Sequence, residues 1–196
     1  MNGVASSECT DAQMIEVSLR DSEQFAALYD RHADQLYRYA YRRVGPGVVE
    51  DIVADTFVAA FRRRDSYDLA CPDARAWLFG ILTREIARHL RQEKARYRAM
   101  SRAFTSAEEE DPALRVVADV AATALRGELA AALARLSAGD RHVLLLIAWG
   151  DLTYEETARA LNIPIGTVRS RLNRARRRVR YALGNSNPMS TSEERG

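Results

Sequence analysis

Arginine crowds the segment NIPIGTVRSRLNRARRRVRYAL, which runs from Asn162 to Leu183. Arg169, Arg171, Arg174, Arg176, Arg177, Arg178 and Arg180 lie within it, and neither Asp nor Glu occurs from Thr167 to Leu183. A solvated helix ordinarily mixes both signs of charge, so that neighbours pair. Cations without acids repel one another until a polyanion neutralises them. The chemistry on offer is nucleic-acid recognition. Arginine grips guanine bidentately, asparagine suits adenine, and serine is short and permissive.

On a helical wheel, Val168, Leu172, Ala175, Val179 and Leu183 share one face, which must dock on the rest of a domain. Ser170, Asn173, Arg174, Arg177 and Tyr181 lie roughly opposite. Arg169, Arg176 and Arg180 flank one edge, and Arg171 and Arg178 the other. Upstream, Thr153-Tyr154-Glu155-Glu156 fits a capping box that opens the short helix TYEETARAL. A tight turn over Asn162 to Gly166 follows, with Thr167 placed to cap the basic helix. A helix, a tight turn and a basic helix make a helix-turn-helix, and Ala158 is small where its two helices must approach.

The elements that position this helix are helical throughout. Periodicity near 3.6 dominates and β-branched alternation is absent, so the fold class is all-α. The spacing predicts two small helical domains joined by a flexible acidic linker, the C-terminal one a helix-turn-helix. Residues 1–20 read as a loose tail, 21–97 as the first domain, 98–120 as the linker, 121–184 as the second domain and 185–196 as another tail. In the first domain, Phe25, Leu28 and Tyr29 form one apolar stripe, and Leu36, Tyr37, Ala40 and Val44 another. Gly45-Pro46-Gly47 breaks the chain. Val49, Ile52, Val53, Phe57, Ala60 and Phe61 line a third helix whose first turns carry Glu50, Asp51 and Asp55, where the helix dipole favours acids. After a loop over Asp65 to Asp73, a fourth helix buries Trp77, Leu78, Ile81, Leu82, Ile86 and Leu90 and carries Arg75, Arg84, Arg88, Arg91 and Lys94 on its other side. The linker contains Glu108-Glu109-Glu110-Asp111-Pro112. In the second domain, Ser137 is placed to cap a helix that carries Val143 to Ile147 and stops at Gly150.

Composition narrows the function. The chain has 196 residues, 47% hydrophobic and 29% charged, with a formal net charge of +2, so it folds around cores and its basic helix is offset elsewhere by acids. Cys9 and Cys71 have no CxxC spacing, which argues against a zinc site or disulfide framework and for a reduced, cytoplasmic setting. The opening MNGVASSECTDAQ lacks a basic start and an apolar core, so no signal peptide is expected, and no apolar run is long enough for membrane insertion. His32, His89 and His142 are scattered, without HExxH or a Gly-rich phosphate loop. No catalytic residue, metal or cofactor is therefore expected, and the protein reads as no enzyme.

One helix-turn-helix reads few base pairs, and repressors compensate by dimerising across two half-sites. Here a second helical block with a basic face follows the same chain. Three stretches resemble the extracytoplasmic-function group of bacterial RNA polymerase sigma factors: FAALYDRHADQLYRYAYRRVG with VEDIVADTFVAAFRR, then PDARAWLFGILTREIARHLRQ, then LSAGDRHVLLLIAWGDLTYEETARALNIPIGTVRSRLNRARRRV. Together they span both helical blocks. The resemblance implies a first domain that binds the polymerase clamp and the promoter −10 element, and a second that reads the −35 element. It places Asp51, Ile52 and Asp55 against core polymerase. It places Tyr67, Arg75, Arg84, Arg88 and Arg91 at the −10 element, where an opened base needs stacking and phosphates need cations; Trp77 reads as core. It matches Arg169, Ser170, Asn173 and Arg174 to −35 contacts; Thr167, Arg171 and Arg177 on the same helix are further −35 candidates, Arg171 toward phosphate with Arg176 and Arg178. The partners it implies are core RNA polymerase, promoter DNA and an anti-sigma factor. The competing reading is a stand-alone helix-turn-helix regulator that binds palindromic DNA as a dimer.

Overall fold

The computed structural model describes residues 9–103 and 120–184. These residues form helices and no strand: α1 (Asp11–Ser18), α2 (Ala26–Val44), α3 (Val49–Arg62), α4 (Arg75–Ala103), α5 (Val120–Ala134), α6 (Ala138–Ala148), α7 (Tyr154–Leu161) and α8 (Ile165–Ala182). Short 3-10 turns precede α2 and follow α3, at Ser22–Phe25 and Arg64–Ser66. The chain divides into two compact units, Met1–His89 and Leu90–Gly196, and the division falls within α4.

The first unit begins with a correction. The segment read as a loose tail holds a docked helix from Asp11 to Ser18. Thr10 and Gln13 form a reciprocal capping box that satisfies two free donors at its start. Ile15 is fully buried, and the Asp11 carboxylate is buried with it. Two buried apolar residues, Ala12 and Ile15, in a helix of eight leave almost no periodic signal in the sequence. Residues 1–8 lie outside the described set.

Helix α2 ends where Gly45 takes a φ of 78°, which a residue with a Cβ rarely adopts. Its buried face is Leu28, His32, Leu36, Tyr39 and Ala40. Leu36 and Ala40 of the expected second stripe are buried and Val44 half-buried, but Tyr39 takes the place of Tyr37, which stacks on Tyr41 at the surface. Edge-to-face aromatic pairs lock the unit, Phe25 on Phe61 and Tyr39 on Phe79, each with centroids 5.3 Å apart. Such pairs contribute about 0.5–1.5 kcal/mol each beyond burial. Trp77 is half-buried, and the neighbouring Leu78 and Phe79 supply the core.

Helix α4 continues through residues 98–103, into the segment read as linker. Residues 104–119, with the acidic run, and residues 185–196 lie outside the described set.

In the second unit, α8 packs on α5, α6 and α7. Val143, Val168 and Leu172 form a buried cluster against which Leu144, Ile147, Tyr154, Ala158, Leu161 and Ile163 pack. The expected caps of α6 and α7 form: Ser137 accepts from the Asp140 N–H, and Thr153 pairs reciprocally with Glu156. Helix α6 stops at Ala148, two residues before Gly150. Asn162 closes α7 in the left-handed conformation, φ 51° and ψ 54°, a role its short polar side chain tolerates. The following turn is shorter than expected. Helix α8 begins at Ile165 with Pro164 as its N-cap, so Thr167 lies inside the helix and does not cap it.

Candidate nucleic-acid and polymerase interfaces

The basic helix presents two kinds of arginine. Val168, Leu172 and Ala175 are buried and Val179 half-buried, so the docking stripe faces inward as the wheel placed it. Arg169, Ser170, Asn173, Arg176, Arg177 and Arg180 stand exposed. The opposite edge leans on α6. Arg171 is half-buried, and its guanidinium lies so close over Gly139 that a Cβ there would sit 2.8 Å from Nη1. A glycine at that position leaves the room this arginine occupies.

Arg174 is not a bare outward cation, as the wheel suggested. Its Nε and Nη2 each donate to a different oxygen of Asp140, both at 2.8 Å, and the Arg178 guanidinium lies 3.8 Å from the same carboxylate. The Arg174 hydrogen bonds hold the Asp140 carboxyl below its usual range; burial opposes this, and Ser137 and the charge of Arg178 assist it. The same pairing raises the Arg174 pKa. Asp140 escaped the sequence reading because its partner lies 34 residues away. Its one local signal was an acid three residues after the capping Ser137.

In the first unit the expected residues separate. Asp51 and Asp55 are exposed along α3. Ile52 is only 4% exposed and belongs to the buried stripe, which corrects its placement on a contact surface. Asp55 accepts from Arg88 Nη2 at 2.9 Å, and Arg88 also pairs with Glu85 at 2.7 Å. Arg88, expected at DNA, thus bridges α3 and α4. Both members of the Asp55 pair are more than half exposed, so its contribution is small.

Tyr67 is also corrected. It is 8% exposed, its hydroxyl donates to the Cys71 carbonyl at 2.7 Å, and its ring packs 5.0 Å from Trp77. The ring clasps the loop from inside and offers little face to a base. Arg75 donates to Gln35 at 3.1 Å and lies half-buried over Phe79. Arg84 and Arg91 are exposed. Desolvation and the neighbouring Arg63 lower the Arg84 pKa, with Glu85 opposing.

A polar bolt that the sequence did not announce joins α1 to this loop. Asp11 accepts from Arg31 at 2.6 Å and from the Ala74 N–H at 2.8 Å, and shares a 2.7 Å hydrogen bond with His32 Nε2. Burial raises the Asp11 pKa, but these bonds and the His32 charge outweigh it and hold it at about 2. Asp11, His32 and Asp73 bring ligand-type atoms within 4.8 Å of one another. Arg31 already supplies the positive charge there, and both Asp11 oxygens are engaged, so the protein closes this cluster itself.

A helical unit with an acidic face on α3 and arginines along α4, followed by a helix-turn-helix unit, is the architecture of a sigma factor. Residues 28–96 match the family Sigma-70 region 2, and residues 126–179 match Sigma-70, region 4. The chain is 30% identical over 175 residues to the ECF RNA polymerase sigma factor SigK of Mycobacterium bovis, covering 88% of this chain and 92% of that protein. It is similar to the solved structure of CnrH in complex with the cytosolic domain of CnrY, with a TM-score of 0.61, 26% identity, and coverage of 90% of this chain and 99% of that one. It is also similar to the sigma factor RpoE of Bartonella quintana in complex with the anti-sigma factor NepR, with a TM-score of 0.58, 26% identity, and coverage of 84% and 99%. The chain belongs to the extracytoplasmic-function group of RNA polymerase sigma factors. It binds core RNA polymerase and directs promoter-specific transcription initiation. The region 2 match weighs against a stand-alone helix-turn-helix regulator. Among the described residues, no helix is long and apolar enough to cross a membrane.

Proposed function

We propose that two regions of the chain divide the promoter between them, residues 21–97 taking core polymerase and the −10 element and residues 121–184 the −35 element. The observation that carries this is the exposed row on α8. Arg169, Ser170, Asn173 and Arg177 stand away from the docking stripe, on a helix held at its start by a three-residue turn. These four residues and Arg174 read base edges, while Thr167 and Arg171, both half-buried, support the helix and reach phosphate. Arg176 adds a phosphate contact. On the first unit, Asp51 and Asp55 meet core polymerase. Arg84 and Arg91 track −10 phosphates, and Arg75 and Arg88 hold the surface on which they lie. Trp77, half-buried beside the loop, is the aromatic that supports an opened base in place of Tyr67.

The protein acts in the cytoplasm, where core polymerase is, and performs no catalysis of its own. An anti-sigma factor restrains it, a reading supported by the RpoE relative solved with NepR. Site-specific photocrosslinking tests the division. In holoenzyme, a photoreactive residue at Ser170 should tag bases near −35, and one at Arg84 bases near −10. Crosslinks exchanged between the two elements, or absent from both, would remove the assignment.

A further inference from the structure

The pairing of Asp140 with Arg174 has a direction that bears on base selection. A guanidinium is planar and carries donors on two edges. The side edge, formed by Nε and one hydrogen of Nη2, is taken by the two carboxylate oxygens at 2.8 Å each. Three hydrogens remain: one from Nη1 beside the other hydrogen of Nη2, which form the end edge, and the second Nη1 hydrogen, which turns back toward the side chain's own Cδ. The end-edge pair of parallel donors matches the O6 and N7 acceptors of guanine in the major groove. The Arg174 side chain is 44% exposed, while that of Asp140 is 2% exposed. The carboxylate is itself fixed, since α6 begins at Ala138 and Ser137 accepts from the Asp140 N–H at 3.2 Å.

We propose that Asp140, a buried residue of α6 that does not reach DNA, sets base selectivity at one −35 position by clamping the Arg174 guanidinium so that only its outer end is offered, in one orientation. This rests on the assignment of α8 to the −35 element. Arg174 is flanked on its own helix by Arg171, Arg177 and Arg178, all cations. Without the carboxylate, the long side chain would swing away from these neighbours and be free to find any phosphate. Asp140 converts a general phosphate-seeking cation into an oriented base reader. It is a positioning residue, and Arg174 is the one that touches the base.

The test uses the full chain with purified core polymerase on promoters randomised across the −35 element, sequencing the transcripts produced. Wild type, Arg174→Ala, Asp140→Ala, Asp140→Asn and the Asp140→Ala/Arg174→Ala double variant are compared. Arg174→Ala should lower the preference for guanine at one position by about tenfold, within the range for a lost bidentate contact. Asp140→Ala should lower the preference at that same position, and the double variant should match Arg174→Ala alone. Thermal unfolding identifies a variant that has lost its fold. If Asp140→Ala has, Asp140→Asn is read in its place, because it keeps the shape and loses the charge that holds the fork. An unchanged preference in the Asp140 variants would overturn the proposal, as would a uniform loss of transcription with the preference intact. Effects of Asp140 and Arg174 at different positions would do the same. A wild-type protein with no −35 preference at all would instead overturn the assignment of α8, and the proposal with it.

Discussion

The Asp11 carboxylate caps the Ala74 N–H across 2.8 Å, joining the first turn of α1 to the entry of α4, 63 residues later. Nearby, the Ala12 N–H donates to the Pro72 carbonyl at 3.4 Å, and at the other end of α1, Arg64 Nε donates to the Ser18 carbonyl at 3.3 Å. Helix α1 therefore braces both ends of the loop that carries Tyr67. Because the folded Asp11 pKa is depressed to about 2, its stabilisation is present above the unfolded carboxylate range and is lost as pH falls through the folded value. Asp11→Asn should destabilise the first unit by about 2 kcal/mol at neutral pH. Denaturant unfolding of both proteins should show this gap closing as pH falls from about 5 to 2. A gap independent of pH would contradict the bolt.

Asp51 projects from α3 fully outside the buried stripe. Asp51→Ala should weaken binding to core polymerase, read by titration with a labelled sigma, while the circular dichroism and DNA contacts of the second unit stay unchanged. Equal core affinity would take Asp51 out of the interface.

Arg84 stands against Arg63, a like charge. Relieving that repulsion should leave stability unchanged or raised, whereas losing a phosphate partner should impair promoter opening. Arg84→Ala is thus expected to unfold at no lower temperature than wild type but to yield weaker permanganate reactivity of −10 thymines. Loss of both together would mean Arg84 serves the fold alone.

Arg176 is exposed on the edge of α8 away from α6, and no carboxylate of the described residues pairs with it. Arg176→Ala should weaken promoter binding by holoenzyme about evenly across sequences and reduce the slope of log affinity against log salt by about one. A change confined to one base position would reassign it to base reading.

The helix-turn-helix was legible because its signals are local. A capping box at Thr153 and Glu156, the Pro164 turn, and an apolar stripe at Val168, Leu172 and Ala175 all lie within a few turns of one another. What stayed hidden depends on distant partners. Nothing near Arg174 announces Asp140, and nothing in an eight-residue helix that buries Ala12 and Ile15 announces that Asp11 caps α4. Tyr67 was misplaced for the related reason that an aromatic in a loop is as well suited to clasping the loop as to stacking a base. Ile52 was assigned to a contact face along with its acidic neighbours, although the α3 stripe had already placed it inside.

The central claim is that one chain grips a promoter at two elements through core polymerase. In vitro transcription with purified core enzyme tests it most directly, on a promoter carrying both elements and on versions with either element scrambled. The account predicts initiation at one start site that requires the chain and core together and falls sharply when either element is lost. Specific DNA binding as a dimer without core, together with no initiation from any promoter tested, would contradict it.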